Sequence, residues 1–369
     1  MAGATAAAAR LEHRVTGIQT LCRAGQDADA LRTGFLYRLR RIMPVDAAFF
    51  ATVDPVTLLF TSAVAEEPLG SVTPLFLENE FGRRDVNKFA ALAETAPAVS
   101  SLDRATHGDR ASSARYREVM APLGLGDELR AALVVGHRCW GVLCLHREDA
   151  PAGFSAEELE LVRRLAPHLA GGLRRAVTGG AFGAPPSVSP AEGPPPGIVV
   201  LDDGLALVSM NPEAEEWLAD LADHRWPGSG ELPVPLHAAA ARLILAERAD
   251  PAVCPPPTAV RLRGRSGRWL SLHASRLPDP SGPRIGIVIQ AVPPAELGSM
   301  LLSAYGLTEA QLRVAALILK GRSTREIVSE LHISGNTVQE HLTAIFDKFG
   351  VRSRRELVAA VLAGSGPRG

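Results

Sequence analysis

Apolar residues recur at helical spacing over residues 11–24 and 28–43, after which the pattern shortens to the runs typical of strands. Two such runs, 47–53 and 57–64, flank Asp54-Pro55 and predict a strand pair joined by a turn. More helices follow. Residues 130–135 and 139–146 then flank Gly136-His137-Arg138 as a second pair, and Ser155 with Glu158 marks a helix start whose side chains cap each other's amides. After a Gly- and Pro-rich stretch at 178–196, too poor in large apolar groups to fold, a second series begins at 197. A strand ends in Asp202-Asp203, and Asp203-Gly204 turns into a strand at 205–209. Asn211-Pro212 opens a helix, and strands follow at 258–263, 269–277 and 285–292. The acidic pair invites comparison with a phosphorylatable receiver. That comparison fails because a strand follows directly and no lysine occurs between Lys88 and Lys320.

From residue 306 the signals are local and dense. Thr308 with Gln311, Ser323 with Glu326 and Ser353 with Glu356 each fit a capping box, marking three helix starts. Gly321 and Gly350 stand where helices end in the left-handed conformation, and Ser334 caps a further helix after a short turn at His332-Ile333. Leu312, Ala315, Ala316 and Leu319 form one apolar stripe, with Ile327, Val328 and Leu331 the next. Val338, Leu342, Ile345, Phe346 and Phe349 share one face of the helix after Ser334. Asn336, Gln339, Glu340, Thr343 and Asp347 are left on the other.

This last block resembles the DNA-binding domain of the LuxR family, in its opening Leu307-Thr308, in STREI, HIS and NTV, in the helix histidine His341 and in GVRSRREL. The resemblance implies a four-helix module in which the third helix enters the major groove, the second braces it, and the fourth dimerises. Base reading then falls to Asn336, Gln339, Glu340 and Thr343. Phosphate contacts fall to Arg322, Ser323, Thr324, Arg325, Thr337, Lys348, Arg352 and Arg354, and dimer contacts to Leu357, Val358, Val361 and Leu362. Where many members carry basic residues in the third helix this chain has Gln339 and Thr343, with Glu340 between them, so the family's preferred sites do not transfer. By element order, residues 10–177 resemble a GAF domain and 197–292 a PAS domain.

The expected fold is therefore multidomain: an α+β GAF-like domain at 10–177, a linker at 178–196, an α+β PAS-like domain at 197–292, a connecting helix at 293–305 and an all-α helix-turn-helix module at 306–369. The expected function is a sequence-specific transcriptional regulator, controlled by a ligand or partner through its upstream domains. Double-stranded DNA and a second copy of the chain are the expected partners. A small molecule in the GAF-like domain and RNA polymerase are further partners consistent with the resemblance. A sensory scaffold that recruits another protein is the alternative from a different class.

Composition narrows this. The 369 residues exceed what one core organises, and 46% hydrophobic with 21% charged residues describe a globular chain. No apolar run approaches the roughly 20 residues that span a bilayer, and the N-terminus lacks a secretory signal, so a cytoplasmic location without membrane attachment is expected. The net charge of -1 requires any DNA-binding surface to be local. Residues 306–362 carry eight basic and six acidic side chains, a weak net of +2. Cys22, Cys139, Cys144 and Cys254 are scattered, which suits a reducing compartment and small buried hydrophobes. His137, Cys139, Cys144 and His146 tempt a metal assignment. Strand alternation, however, puts Cys144 and His146 on one face and Cys139 on the other, so no metal and no cofactor are expected. The chain has no GxxxxGK, HExxH, GxSxG or CxxC motif, and no enzyme activity is expected.

Overall fold

The computed structural model describes residues 2–179, 194–221, 232–248, 258–280, 282–292, 302, 305 and 307–362. Most of the expected linker and connecting helix, at 180–193 and 293–301, lies outside the described residues. The first domain opens with α1 (Ala2–Arg23) and α2 (Ala28–Leu39), where Asp27 caps α2 by accepting the Ala30 amide at 2.8 Å. Its sheet runs β2-β1-β5-β4-β3, from β1 (Ala47–Val53), β2 (Phe60–Ala65), β3 (Val99–Ser101), β4 (Leu125–Val135) and β5 (Arg138–Glu148), with every pairing antiparallel. Between β2 and β4 lie α3 (Thr73–Gly82), α4 (Phe89–Glu94) and α5 (Leu102–Thr106).

Both faces of this sheet are buried. Phe50, Leu143 and Leu145 pack with Ile18, Phe35 and Leu169 under α1, α2 and α6 (Ala156–Gly179). Phe49, Val142 and Cys144, offset by one residue, pack with Phe76 and Phe89 on the opposite side. Ser155 and Glu158 cap the start of α6 reciprocally, at 3.3 and 2.9 Å, as the sequence implies.

Several boundaries and one strand face differ from expectation, among them α1, which starts at Ala2 and not 11, and α2, which ends at Leu39 and not 43. β2 starts at Phe60, not 57, because Asp54 Oδ1 accepts the amides of Val56 and Thr57 and Leu58 sits at φ 59°, holding the chain in a loop. β4 starts five residues early, at Leu125, and buries Asp127 and Glu128, whose charges disguise the strand in sequence. β7 (Leu207–Met210) starts late because Asp202 Oδ1 accepts the Ala206 amide across the turn. Finally, the β4–β5 register shifts between Leu133 and Val134, where they face Gly141 and Cys139. This bulge interrupts the alternation, so Cys139 joins Val142 and Cys144 while Trp140 turns to the helical face.

The second domain repeats the strand order of the first as β7-β6-β10-β9-β8, using β6 (Gly197–Asp202), β8 (Ala259–Arg263), β9 (Trp269–Leu277) and β10 (Arg284–Ala291). Asn211 caps α7 (Pro212–Asp220), accepting the Ala214 amide at 3.1 Å. The two α+β domains are not separate beads. Their apolar residues form one continuous cluster, and α8 (Val234–Arg248) lies so close to α3 that a Cβ at Gly82 would stand 1.8 Å from Leu245 Cδ2. Buried Asp54 also accepts both the backbone amide and the guanidinium of Arg261, at 2.9 and 3.0 Å.

The helices α9 (Glu309–Leu319), α10 (Thr324–Leu331), α11 (Gly335–Phe349) and α12 (Arg354–Leu362) enclose a third core. Among the described residues no helix is long and apolar enough to cross a membrane.

Candidate nucleic-acid interface

Capping fixes where each helix of the last module begins. Thr308 Oγ1 accepts the Gln311 amide at 3.3 Å while Gln311 Oε1 accepts the Thr308 amide at 3.0 Å, and Ser323 and Glu326 repeat the exchange at 3.3 and 2.7 Å. At α12 the exchange is displaced: Ser353 accepts the Glu356 amide, but the Glu356 carboxylate takes the amide of Arg352. Thr308→Ala should cost the module about 1 kcal/mol. Amide exchange over residues 309–319 reads this directly, and unchanged protection would mean that the cap does not hold the helix start.

Between α10 and α11 the chain turns through His332, left-handed at φ 53°, into Ser334, which caps α11 by accepting the Thr337 amide at 3.1 Å. Gly350 closes α11 at φ 62° and Gly321 follows α9 at φ 79°, where a larger side chain would be strained. The stripe expected on α9 is rotated. Val314, Ala315, Leu317 and Ile318 are buried with Gln311, while Leu312, Ala316 and Leu319 are only half-buried.

On α11 the two faces separate as read from sequence. Val338, Leu342, Ile345 and Phe349 are buried, and Asn336, Gln339, Glu340, Thr343 and Asp347 are exposed. Thr343 donates its hydroxyl to Gln339 O at 3.1 Å, which holds its side chain against the helix. Phosphate candidates Ser323, Thr324, Arg325 and Arg352 are exposed, Thr337 and Arg354 half-buried. Exposed Arg322 pairs with Glu326 and Glu330 at 3.4 and 3.6 Å, contacts weak enough in water to exchange for a phosphate. Lys348 Nζ reaches back to Gln311 Oε1 at 2.8 Å, tying the end of α11 to the start of α9.

The proposed dimer residues divide differently. Leu357 and Val361 are buried in the module's own core, and Val358 is half-buried against it; the Leu362 side chain lies outside the described residues. The stripe that sequence assigns to a partner is largely used internally.

A second polar centre lies inside the first domain. Arg115 Nε donates to Glu128 Oε2 at 2.8 Å, Arg130 Nε to Glu128 Oε1 at 3.1 Å, and Arg130 Nη1 to Glu80 Oε2 at 2.8 Å. Arg130 also lies 4.2 Å from the ring centroid of Phe89. Glu128, Cys144 and His146 bring their polar atoms within 4.8 Å of one another. They do not suit a cation, because each carboxylate oxygen already accepts from a guanidinium. Burial raises the Cys144 thiol further from its ionised form. Burial lowers His146 to about 4, with Glu128 opposing and Arg130 and Arg115 assisting. Burial alone would raise Glu128, but Arg115, Arg130 and His146 together bring it down to about 2.

Comparisons with known proteins agree with both ends of the chain. Residues 306–361 match GerE, described as bacterial regulatory proteins, luxR family, and residues 27–173 match the GAF domain. The spore germination protein GerE of Bacillus subtilis (strain 168) is 38% identical over 56 residues, 15% of this chain and 76% of that protein. Among solved structures, the chain is similar to the Vibrio cholera VqmA-ligand-DNA complex at 19% identity, covering 47% of this chain and 86% of that one, with a TM-score of 0.22. It is also similar to the E.coli DhaR(N)-DhaL complex at 13% identity, covering 77% and 90%, with a TM-score of 0.23. Both scores are too low for either arrangement to be carried over. The chain belongs to the luxR family of bacterial regulatory proteins, with a LuxR-type helix-turn-helix DNA-binding domain at 306–361 and a GAF domain at 27–173.

Proposed function

We propose that the chain works as a homodimeric cytoplasmic transcriptional regulator, not an enzyme, whose upstream domains control promoter binding by the last module. The observation that carries this reading is the exposed row Asn336, Gln339, Glu340 and Thr343, set on a helix whose other face is locked into the core. Those four read base edges in the major groove. Arg322, Ser323, Thr324, Arg325, Thr337, Lys348, Arg352 and Arg354 hold phosphates, with Lys348 first releasing Gln311. The net of +2 over 306–362 supplies little general attraction, so affinity rests on these placed contacts.

Dimer contacts on α12 rest on Val358 with its exposed neighbours Arg355 and Ala359, since Leu357 and Val361 are occupied. Paired recognition helices would then occupy half-sites about 10 base pairs apart. The domain division at 178–196 and 293–305 and the PAS-like assignment of 197–292 belong to the same proposal. The order β7-β6-β10-β9-β8 supports the latter. RNA polymerase is the protein partner a promoter-bound regulator would meet, and a small molecule in an upstream domain would supply the signal.

Binding over a library of operator variants at several salt concentrations tests the division of labour. Gln339→Ala should relax preference at one or two base positions by roughly 1 to 3 kcal/mol, because a side-chain amide pairs bidentately with adenine. Arg325→Ala should weaken all sequences alike and flatten the salt slope by about one unit. A uniform loss in Gln339→Ala would show that α11 presents a different face. Equal affinity for promoter and scrambled DNA would favour a scaffold that recruits protein.

A further inference from the structure

A cleft of about 380 Å³ opens where the first and second domains meet, lined by Arg32, Ser62 and Trp140 from one and by Arg261, Leu262 and Trp269 from the other. That volume suits a small molecule. The cleft lies by the helical face of the first sheet, to which Trp140 turns, and not on the side where the buried Glu128 centre sits with Phe76 and Phe89.

Three of its lining residues carry N–H groups with no acceptor among the described residues. Arg32 Nε, Trp140 Nε1 and Trp269 Nε1 are shielded from solvent and have no hydrogen-bond partner among the described residues. Arg32 and Trp140 are each 1% exposed and Trp269 6%. The Arg32 guanidinium is held in place: its Nη1 donates to Ser62 O at 3.1 Å and its Nη2 to Ser62 Oγ at 2.8 Å and to Asp29, leaving the Nε edge unsatisfied. Buried donors without acceptors are uncommon and costly, so a group of them lining one cleft marks a place for an acceptor-rich guest. The lining also carries four arginines against two aspartates, and with Arg261 paired to Asp54 outside the lining the arginines still outnumber the carboxylates, which favours an anion. Two indoles, with Val53, Val177 and Leu262, provide apolar walls for the body of such a guest.

We propose that this cleft, by a small outward movement of its walls, binds a small aromatic carboxylate whose oxygens then accept from the Arg32, Trp140 and Trp269 N–H groups and whose ring lies among the indoles. A guest there touches both domains at once. It shares the junction with the Asp54–Arg261 ion pair, so its binding would stiffen the same contact.

The test uses the full-length protein with ¹⁵N in its four tryptophan indoles, assigned by Trp→Phe substitutions, titrated with benzoate and, in parallel, with neutral benzamide. Benzoate is expected to move the Trp140 and Trp269 indole signals saturably. It should leave Trp217, whose Nε1 already donates to Pro195 O at 3.0 Å, in place. Benzamide should bind several-fold more weakly. Trp269→Phe keeps a ring but removes one donor, and should raise the benzoate Kd several-fold while the unliganded Trp140 signal stays where it was. The proposal fails if benzoate moves neither indole, if it moves Trp217 equally, if benzamide binds as tightly, or if Trp269→Phe leaves the Kd unchanged.

Discussion

Phe349→Ala should unfold residues 307–362 at room temperature and abolish DNA binding, while the first domain keeps its fold. Phe349 is 1% exposed, and its ring stacks on Tyr305 at 3.7 Å between centroids, with 22° between planes. It is also the last residue of α11, immediately before the left-handed Gly350, so the space it fills is bounded by a chain reversal that cannot easily collapse inward. Removing a buried Phe side chain costs about 3 to 5 kcal/mol. A module of this size holds only about 3 to 5 kcal/mol from one small core. The two figures nearly cancel, so the variant should be largely unfolded there. Amide exchange on the full chain distinguishes the parts: protection should vanish over α9 to α12 and persist over β4 and β5, which belong to another core. Asn336→Ala, on the exposed face of the same helix, should change stability by no more than about 0.5 kcal/mol. If Phe349→Ala retained full protection over 309–362, the placement of α11 against the module core would be wrong.

The last module was legible because its instructions are local. A capping serine or threonine, a partner three residues on and a glycine at the helix end all act within one or two turns, and each of these signals falls at the observed boundary. The first domain was less legible where long-range packing overrules local appearance. Asp127 and Glu128, just ahead of the strand expected from Arg130, look like solvated positions in the sequence. They become strand because Arg115 pairs with Glu128 and Glu80 with the neighbouring Arg130 inside the core, while Asp127 accepts the amides of Asp103 and Phe154. The face of Cys139 could not be read by alternation, since the bulge that turns it is visible only in the pairing with β4. The rotation of the α9 stripe has a similar origin: buried Gln311 looks like a surface residue until its carbonyl is seen to take the Thr308 amide and the Lys348 ammonium together. Nothing in the sequence joins Asp54 to Arg261, and with them the first domain to the second.

The buried centre of the first domain should make its stability fall as the solution is acidified from pH 6.5 towards 4, and His146 should be the cause. His146 is 2% exposed, and neither ring nitrogen has a hydrogen-bond partner among the described residues. Burial holds its folded-state value at about 4 against an ordinary 6.5. The unfolded chain therefore takes up this proton first. The neutral ring contributes its full share of stability above pH 6.5, and that share is lost as the pH falls through the interval down to 4. At about 1.4 kcal/mol per pH unit the loss amounts to roughly 3 kcal/mol. Glu128 acts in a lower window. Its folded-state value, about 2 against 4.5, leaves its contribution intact above pH 4.5, to be lost between there and 2. His237 in the second domain is also lowered by burial, and it adds a loss of the same sign in the histidine window. Urea unfolding of the full chain at intervals from pH 7.5 to 4, followed by amide exchange in β4 and β5, isolates the first term when His146→Gln is compared with the unsubstituted protein. Glutamine does not titrate, so the variant should show a shallower decline between pH 6.5 and 4 while the His237 part and the loss below 4.5 remain. Parallel declines in the two proteins would mean that His146 is protonated in the fold as readily as in the unfolded chain, and that the site around Glu128 is open to water.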